Sequence, residues 1–424
     1  MSFDASGDCS TTTADKPKLP REVWLLVAAN VVVALGYGVV SPVLPEYARH
    51  FGVSISAATF VITAFAVMRL ASATPAGWMV QRLGERRVYI NGLLIVAVST
   101  AVCAFAQTYW QLLLFRSLGG LGSAMFSVSS LALMIRISPP NARGRVAGLF
   151  SSGFLIGSVG GPVLGSLTAG LGLSAPFAIY GLALLVAAAV VFFSLRGSNT
   201  GAVLEETAEP SVTLRDVLRL RAYRAALLSN FATGWAAFGL RIALVPLFVV
   251  DGLGRSTGIA GLALATFAIG NVSVVIPSGY LSDRIGRRKL LIVGLLAAAV
   301  STSLLGVSSS LVVFLVTAYV SGAATGIFVS PQQAAVADIV GNQARGGTPV
   351  AVFQMMVDVG SIGGSLIVGM IAQHASFAWA FAVSGVVLFV AAIGWIFAPE
   401  TRGVPPAGHT PARPLGPEAA GEVP

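Results

Sequence analysis

The stretch GYLSDRIGRRK, Gly279 to Lys289, has a counterpart 202 residues earlier in GWMVQRLGERR, Gly77 to Arg87. Gly77/Gly279, Arg82/Arg284, Gly84/Gly286 and Arg87/Lys289 share that offset. So does the next segment: NGLLIVAVST (Asn91 to Thr100) matches VGLLAAAVST (Val293 to Thr302) at seven of ten positions. Ala142-Arg143-Gly144 likewise falls on Ala344-Arg345-Gly346. One unit is written twice, and the repeated stretch marks the same turn in each copy.

Of the 424 residues, 55% are hydrophobic and only 10% charged, with a mean hydropathy of +0.84. A soluble chain carries about 25% charged residues, so lipid is the main solvent here. Apolar runs of roughly 20 residues, long enough to cross a bilayer, recur throughout. Lipid admits only helices or closed barrels, and these runs lack the alternation of barrel strands. They predict an all-α membrane protein of twelve transmembrane helices. Six lie near 23–44, 56–80, 88–106, 109–135, 145–169 and 174–195. Six more lie near 223–250, 257–281, 289–307, 311–338, 348–373 and 377–398.

The chain thus divides into a tail (1–22), a six-helix bundle (23–196), a linker (197–222), a second six-helix bundle (223–398) and a second tail (399–424). The first tail is polar, with no run that could serve as a cleavable signal. In the linker, Val212 to Tyr223 spaces Leu214, Val217, Leu218 and Leu220 among Arg215, Arg219 and Arg221. Such an amphipathic segment is expected to lie flat at the membrane surface. With both termini cytoplasmic, 21 of the 26 Lys and Arg fall inside and only Arg49 and Arg255 outside. That asymmetry accounts for the net charge of +9 without nucleic acid as a partner. Repetition at an even helix offset gives both bundles one orientation, the parallel repeat of two-bundle secondary transporters, with the substrate site between them near the midplane. No G-x-x-x-x-G-K-[ST] loop is present, which argues against ATP drive. Cys9 and Cys103 make no disulfide framework or metal site. His50, His374 and His409 form no catalytic constellation, so neither an enzyme nor a cofactor is expected.

Each repeated loop combines a glycine that lets helices approach closely, a tight turn at Gly84 or Gly286, and basic residues that suit the inner leaflet. The second copy, with Gly279, Asp283, Arg284, Gly286, Arg287 and Arg288, resembles the signature loop G-x-x-x-D-R-x-G-R-R/K of the major facilitator superfamily. The resemblance spans about 23 to 402. LGYGVVSPVLP (Leu35 to Pro45) is similar to the family's first-helix proline motif. Arg116, Gly120 and Gly122 are similar to its R-x-x-x-G-x-G motif. GSVGGPVLG, with Gly157, Gly161, Pro162 and Gly165, is similar to the fifth-helix motif of its drug/proton antiporters, and PETRG (Pro399 to Gly403) resembles its ending. In the first loop the family's aspartate is replaced by Gln81, and Glu85 follows. The resemblance implies that this aspartate latches the outward-facing state against a helix N-terminus of the other bundle. A neutral amide loses most of that charge–dipole term, roughly 0.3–1 kcal/mol. The latch is therefore expected to rest on Asp283 against the start of the fifth span.

Charges inside spans are costly and face a cavity or a partner. Asp358 is the only acidic residue well inside a span. At about 1.5 Å per residue, Asp358 in the eleventh span and Arg69 in the second both come out near mid-membrane. The resemblance implies that these spans face each other across the bundles, which predicts an Arg69–Asp358 pair that breaks and re-forms with proton movement. Mutual neutralisation alone, or pairing of Asp358 with Arg241, are the alternatives. Arg116 matches the arginine the family associates with proton transfer, or serves as a structural hydrogen-bond donor. Arg241 could meet an anionic substrate. The residues expected to face the cavity are Asn30, Tyr37, Asn230, Trp235, Asn271, Gln332, Gln333 and Gln354, some of which would bridge helices instead. Few charges among many apolar groups suggest a neutral or lipophilic cationic substrate.

The expected function is proton-coupled efflux of drugs or hydrophobic small molecules, by a monomer in the inner or plasma membrane. Its partners would be substrate, protons and the lipid bilayer. An uptake symporter or uniporter for a small metabolite, and a non-transporting sensor, are the alternatives.

Overall fold

The structure, a computed structural model, describes residues 21–137, 143–194, 214–340 and 348–402. Among these the chain is entirely helical, without a strand. The first half comprises α1 (Arg21–Val40), α2 (Leu44–Arg49), α3 (Ile55–Leu83), α4 (Glu85–Cys103), α5 (Tyr109–Ile137), α6 (Arg143–Ala169) and α7 (Ala175–Ser194). The second comprises α8 (Leu214–Arg219), α9 (Arg221–Thr233), α10 (Arg241–Leu247), α11 (Thr257–Ile285), α12 (Arg287–Leu305), α13 (Leu311–Val340), α14 (Thr348–His374) and α15 (Phe377–Ile396). Eleven helical stretches among the described residues are long and apolar enough to cross a membrane, and α6 is a further helix of 27 residues. Large apolar side chains lie bare on the outside, among them Trp110, Leu167, Val312 and Phe397, each at least 70% exposed. An aqueous surface would not tolerate so much apolar area. The chain is a multi-pass membrane protein.

The internal repeat reappears in the helix boundaries. α3 and α11, α4 and α12, and α7 and α15 each begin and end 202 residues apart. The same offset links the prolines inside α3 and α11, Pro75 and Pro277. It also links the turns at Gly84 (φ 83°) and Gly286 (φ 100°). Positive φ is a conformation glycine adopts without steric cost, so each long helix stops there and the next starts at the following residue. We call the end of the molecule that carries these turns the basic face.

Three expectations about the spans change. The first span does not run to Leu44: α1 stops at Val40, and Ser41 to Val43 form a turn before α2. Pro42 lacks an N–H and disfavours helix at the residue before it, while Pro45 fits the first turn of the next helix. The seventh span is continuous from Arg221 to Gly252, but π-helical turns at Gly234–Leu240 and Phe248–Gly252 flank α10. In its described part the amphipathic segment is helical only briefly. α8 is six residues long, Leu220 is extended, and Val217 is buried in the core of the second half; residues 212 and 213 lie outside the described residues.

The motif glycines of α6 set its contact with α1. A Cβ on Gly161 would stand 2.5 Å from the Leu35 carbonyl oxygen and 2.6 Å from Gly38 Cα, and one on Gly165 2.6 Å from the Val39 carbonyl oxygen. The opposite side of α6 meets the second half, where a Cβ on Gly261 would lie 2.6 Å from Ser166 Cβ and 2.7 Å from the Pro162 carbonyl oxygen. The fifth-span motif therefore packs against both its own bundle and the other one.

Candidate functional site

The halves meet mainly through α3 with α14 and α6 with α11. In the first seam Arg69 Nε lies 3.5 Å from Asp358 Oδ1, with side chains 39% and 13% exposed. Arg69 belongs to one half and Asp358 to the other. Of the two readings for Asp358, the structure has Arg69 at its side, and Arg241 sits elsewhere. The backbone on either side of Asp358 is held by glycine contacts with the seventh span. A Cβ on Gly234 would come within 2.8 Å of Val357 Cα, and one on Gly360 within 2.9 Å of the Trp235 nitrogen.

Farther from the basic face, a series of polar contacts joins the halves. Thr63 and Ser365 share a buried hydroxyl–hydroxyl bond of 2.7 Å. The Ser56 amide and hydroxyl both donate to Gln373 Oε1, at 3.1 and 2.6 Å. Thr257 donates to Glu46, and Arg49 pairs with Asp251. Arg49 and Asp251 are 202 residues apart, the same position in each repeat. This pair was not among the expected sites, although the repeat offset with reversed charge was a readable signal.

Arg116 is 5% exposed and its guanidinium lies over the Phe65 ring at 4.3 Å. Its Nε has no hydrogen-bond partner. It borders a cavity of about 10 Å³ together with Tyr37, Ser41, Phe65 and, from the second half, Ile242. Tyr37 packs between Phe65 and Phe238, one from each half, with ring centroids 6.4 Å away in both cases. Arg241 lies over Phe267 at 3.0 Å and borders a second cavity of about 20 Å³ inside the second half. Each cavity has room for about one water.

Several residues expected in a substrate cavity bond to neighbouring helices in this conformer. Gln332 Nε2 donates to Asn230 Oδ1 at 2.7 Å, and Asn230 Nδ2 donates to the Phe353 carbonyl at 2.5 Å. Trp235 Nε1 donates to Ser384 Oγ at 3.0 Å. Asn271 reaches the Gly322 carbonyl at 3.5 Å. A buried amide or indole N–H in lipid needs a partner, and neighbouring helices supply it here. Asn30 is buried on α1 near Gly153 of α6. Gln333 and Gln354 are exposed. Tyr37 borders the small cavity between the halves.

At the basic face the two loop copies differ as their sequences do. Gln81 is exposed, and Arg82 stacks on Trp78 at 4.1 Å; Gly77 and Gly84 have open space around them. In the second copy Arg287 bonds Asp283, Ser282 Oγ (2.9 Å) and Asp338 Oδ2 (3.1 Å). Asp283 is 64% exposed and held within its own loop in this conformer. The connection before α6, residues 138–142, which the latch expectation approaches, lies outside the described residues. Arg288 donates to the Trp395 and Ile396 carbonyls at 3.1 and 2.6 Å, and Arg402 to the Arg284 carbonyl at 2.5 Å. Gly279 faces Ser330.

Glu400 was not singled out by sequence reasoning, though it lies in PETRG. Its carboxylate accepts the Arg287 and Arg288 backbone N–H groups, 2.8 and 3.1 Å, which are the orphan donors at the start of α12. The Thr401 and Arg402 amides add 3.1 and 3.2 Å bonds. Burial alone would raise its pKa, but the four amide donors outweigh that and hold it below the ordinary value.

The family model "Major Facilitator Superfamily" matches residues 26–256 and again 226–420. The Mycobacterium tuberculosis "Multidrug resistance protein B homolog" is 32% identical over 179 residues, 41% of this chain and 33% of the relative, so the chain spans about a third of that protein's length. The Bacillus subtilis "Multidrug resistance protein 2" is 27% identical over 313 residues, 71% of this chain and 77% of the relative. Among solved structures, a D-xylose–proton symporter superposes with a TM-score of 0.74 at 20% identity, covering 90% of this chain and 99% of the other. With the repeated helices, the two packed halves and the matched family model together, this chain belongs to the Major Facilitator Superfamily.

Proposed function

We propose that the chain is a proton-coupled exporter of drugs or hydrophobic small molecules, working by alternating access. Its basic face and both termini lie in the cytoplasm, in the inner or plasma membrane. The observation that carries the reading is the Arg69–Asp358 pair, a titratable carboxylate that joins the two moving halves. Proton binding to Asp358 removes the charge that Arg69 holds and frees the halves to separate. The cross-half polar contacts run from this pair to the face opposite the basic one, which suits a conformer closed outside and open to the cytoplasm. Export is supported by the fifth-span motif at the α1–α6 contact and by relatives that carry multidrug-resistance names.

The test is transport of a drug panel in everted vesicles with and without a collapsed proton gradient. Export by antiport predicts substrate accumulation that the collapse abolishes, with proton flow opposite to substrate. Asp358→Asn is expected to lose proton-driven accumulation while retaining gradient-independent counterflow. Retention of proton-driven transport with unchanged pH dependence would refute the coupling role.

A further inference from the structure

Phe65 and Phe267 occupy the same position in the two repeats, 202 residues apart, and each carries a guanidinium on its ring face. The arginines are not equivalent: Arg116 comes from α5, whereas Arg241 opens α10 in the seventh span. Arg69 is matched by Asp358. Among the described residues no carboxylate lies within ion-pair distance of Arg116 or Arg241. A ring face attracts a cation but neutralises nothing, and a buried charge lacking a counter-charge is strongly disfavoured. Among the described residues, Arg116, which is buried, and Arg241, which is partly exposed, are therefore short of negative charge.

Arg241 is the better placed of the two to receive it. It follows directly on the π-helical turn Gly234–Leu240, and a second π turn begins at Phe248, just beyond Pro246. Such turns inside α-helices occur frequently at functional sites. The cavity beside Arg241 is mostly apolar, walled by Leu240, Leu264, Phe267, Phe314 and Phe381, with Thr302 and Ser321 supplying hydroxyls. A guanidinium presents a planar fork that fits a carboxylate with two bonds.

We propose that Arg241 receives the anionic group of the transported molecule, so that the substrate class includes amphipathic organic monoanions with an aromatic body. The carboxylate would lie on the Arg241 fork and the apolar body along the phenylalanine walls. At about 20 Å³ the cavity holds only a water-sized group in this conformer, so occupancy requires the seventh span to shift at its π turns. This departs from the neutral or cationic substrate suggested by composition, which counts charges without showing which are already paired. The inference rests on the transport reading above for its direction, though binding can be tested without it.

The test uses the purified full-length chain with benzoate, salicylate and indole-3-acetate, each beside its neutral primary amide. Binding is read by isothermal titration, and counterflow is read in proteoliposomes. At least one carboxylate is expected to bind ten-fold or more tighter than its amide. Arg241→Gln should remove that preference and Arg241→Lys should keep part of it, because the charge stays while the fork is lost. A panel in which no carboxylate outbinds its amide overturns the proposal, as does a carboxylate preference that survives Arg241→Gln. The wild-type comparison decides even where the variant fails to fold. Carboxylate-selective binding without any counterflow would sink the transport reading and leave the anion site standing; counterflow of neutral compounds without selectivity would do the reverse.

Discussion

Breaking the Arg49–Asp251 pair should shift the protein toward a conformer open at the face opposite the basic one. The two side chains are 35% and 29% exposed, so water screens them and a large contribution is ruled out. Partly exposed pairs of this kind are worth about 0.2–1 kcal/mol, and the upper end corresponds to about a fivefold change in the closed-to-open ratio. The pair closes only when the halves meet at that face, so its whole contribution acts on this equilibrium. The perturbations are Asp251→Asn, Arg49→Gln, their combination, and the reversed pair R49D/D251R. The readout is labelling by a membrane-impermeant maleimide, added from the opposite face, of Ile62→Cys in a chain lacking Cys9 and Cys103. Ile62 is buried beside the small cavity between the halves, so it reacts only when that side opens. Each single variant should label about 1.4- to fivefold faster. The double variant should label no faster than the stronger single, and the reversed pair should return toward wild type. High salt should shrink the differences. Strictly additive single effects, or a reversed pair as open as the singles, would refute a direct charge latch.

Asp283→Asn should slow transport more than Gln81→Ala in the same vesicle assay, since only the second loop carries an acidic residue at that position; equal effects would remove the asymmetry. Glu400→Gln should lower thermal stability in detergent by about 1–2 kcal/mol near neutral pH, because an ionised acceptor of four amides becomes neutral. Glu400's pKa is depressed on folding, so its contribution is present above the ordinary value of 4.5 and is lost as pH falls through the lower folded value. Wild type should therefore lose its advantage over Glu400→Gln in acid, and a difference independent of pH below 4.5 would count against the amide cradle. Gly161→Val should destabilise by about 1–3 kcal/mol, the usual cost of overpacking, because its side chain meets the α1 backbone at 2.5–2.6 Å. An unchanged melting temperature would mean that α1 and α6 are not held that closely.

How much of the site could be read in advance differs residue by residue. Arg69 and Asp358 were brought together by depth counting and family resemblance, since both sit near the middle of helices whose neighbours the fold dictates. Tyr37, Asn230, Trp235 and Gln332 looked alike in sequence, each a polar group in an apolar span. One lines a cavity and three bridge helices, because the outcome depends on which backbone carbonyl or side chain lies opposite. Glu400 was hidden for a similar reason. Its partners, Arg287 and Arg288, are more than 110 residues away, and a helix start needs an acceptor without specifying where in the chain it comes from.

By itself the sequence determined the membrane class, the duplication at 202 residues and the turns at Gly84 and Gly286. These follow from local physics: the length of an apolar run, the positive φ that glycine tolerates, and repetition visible along one dimension. Tertiary structure alone decided that the alternative partner Arg241 stands away from Asp358, and that Arg49 and Asp251 close one face. It also decided that the seventh span carries π turns on both sides of α10. Those outcomes depend on distances between helices far apart in the chain, where a shift of one turn, about 5 Å, changes which charge finds its partner.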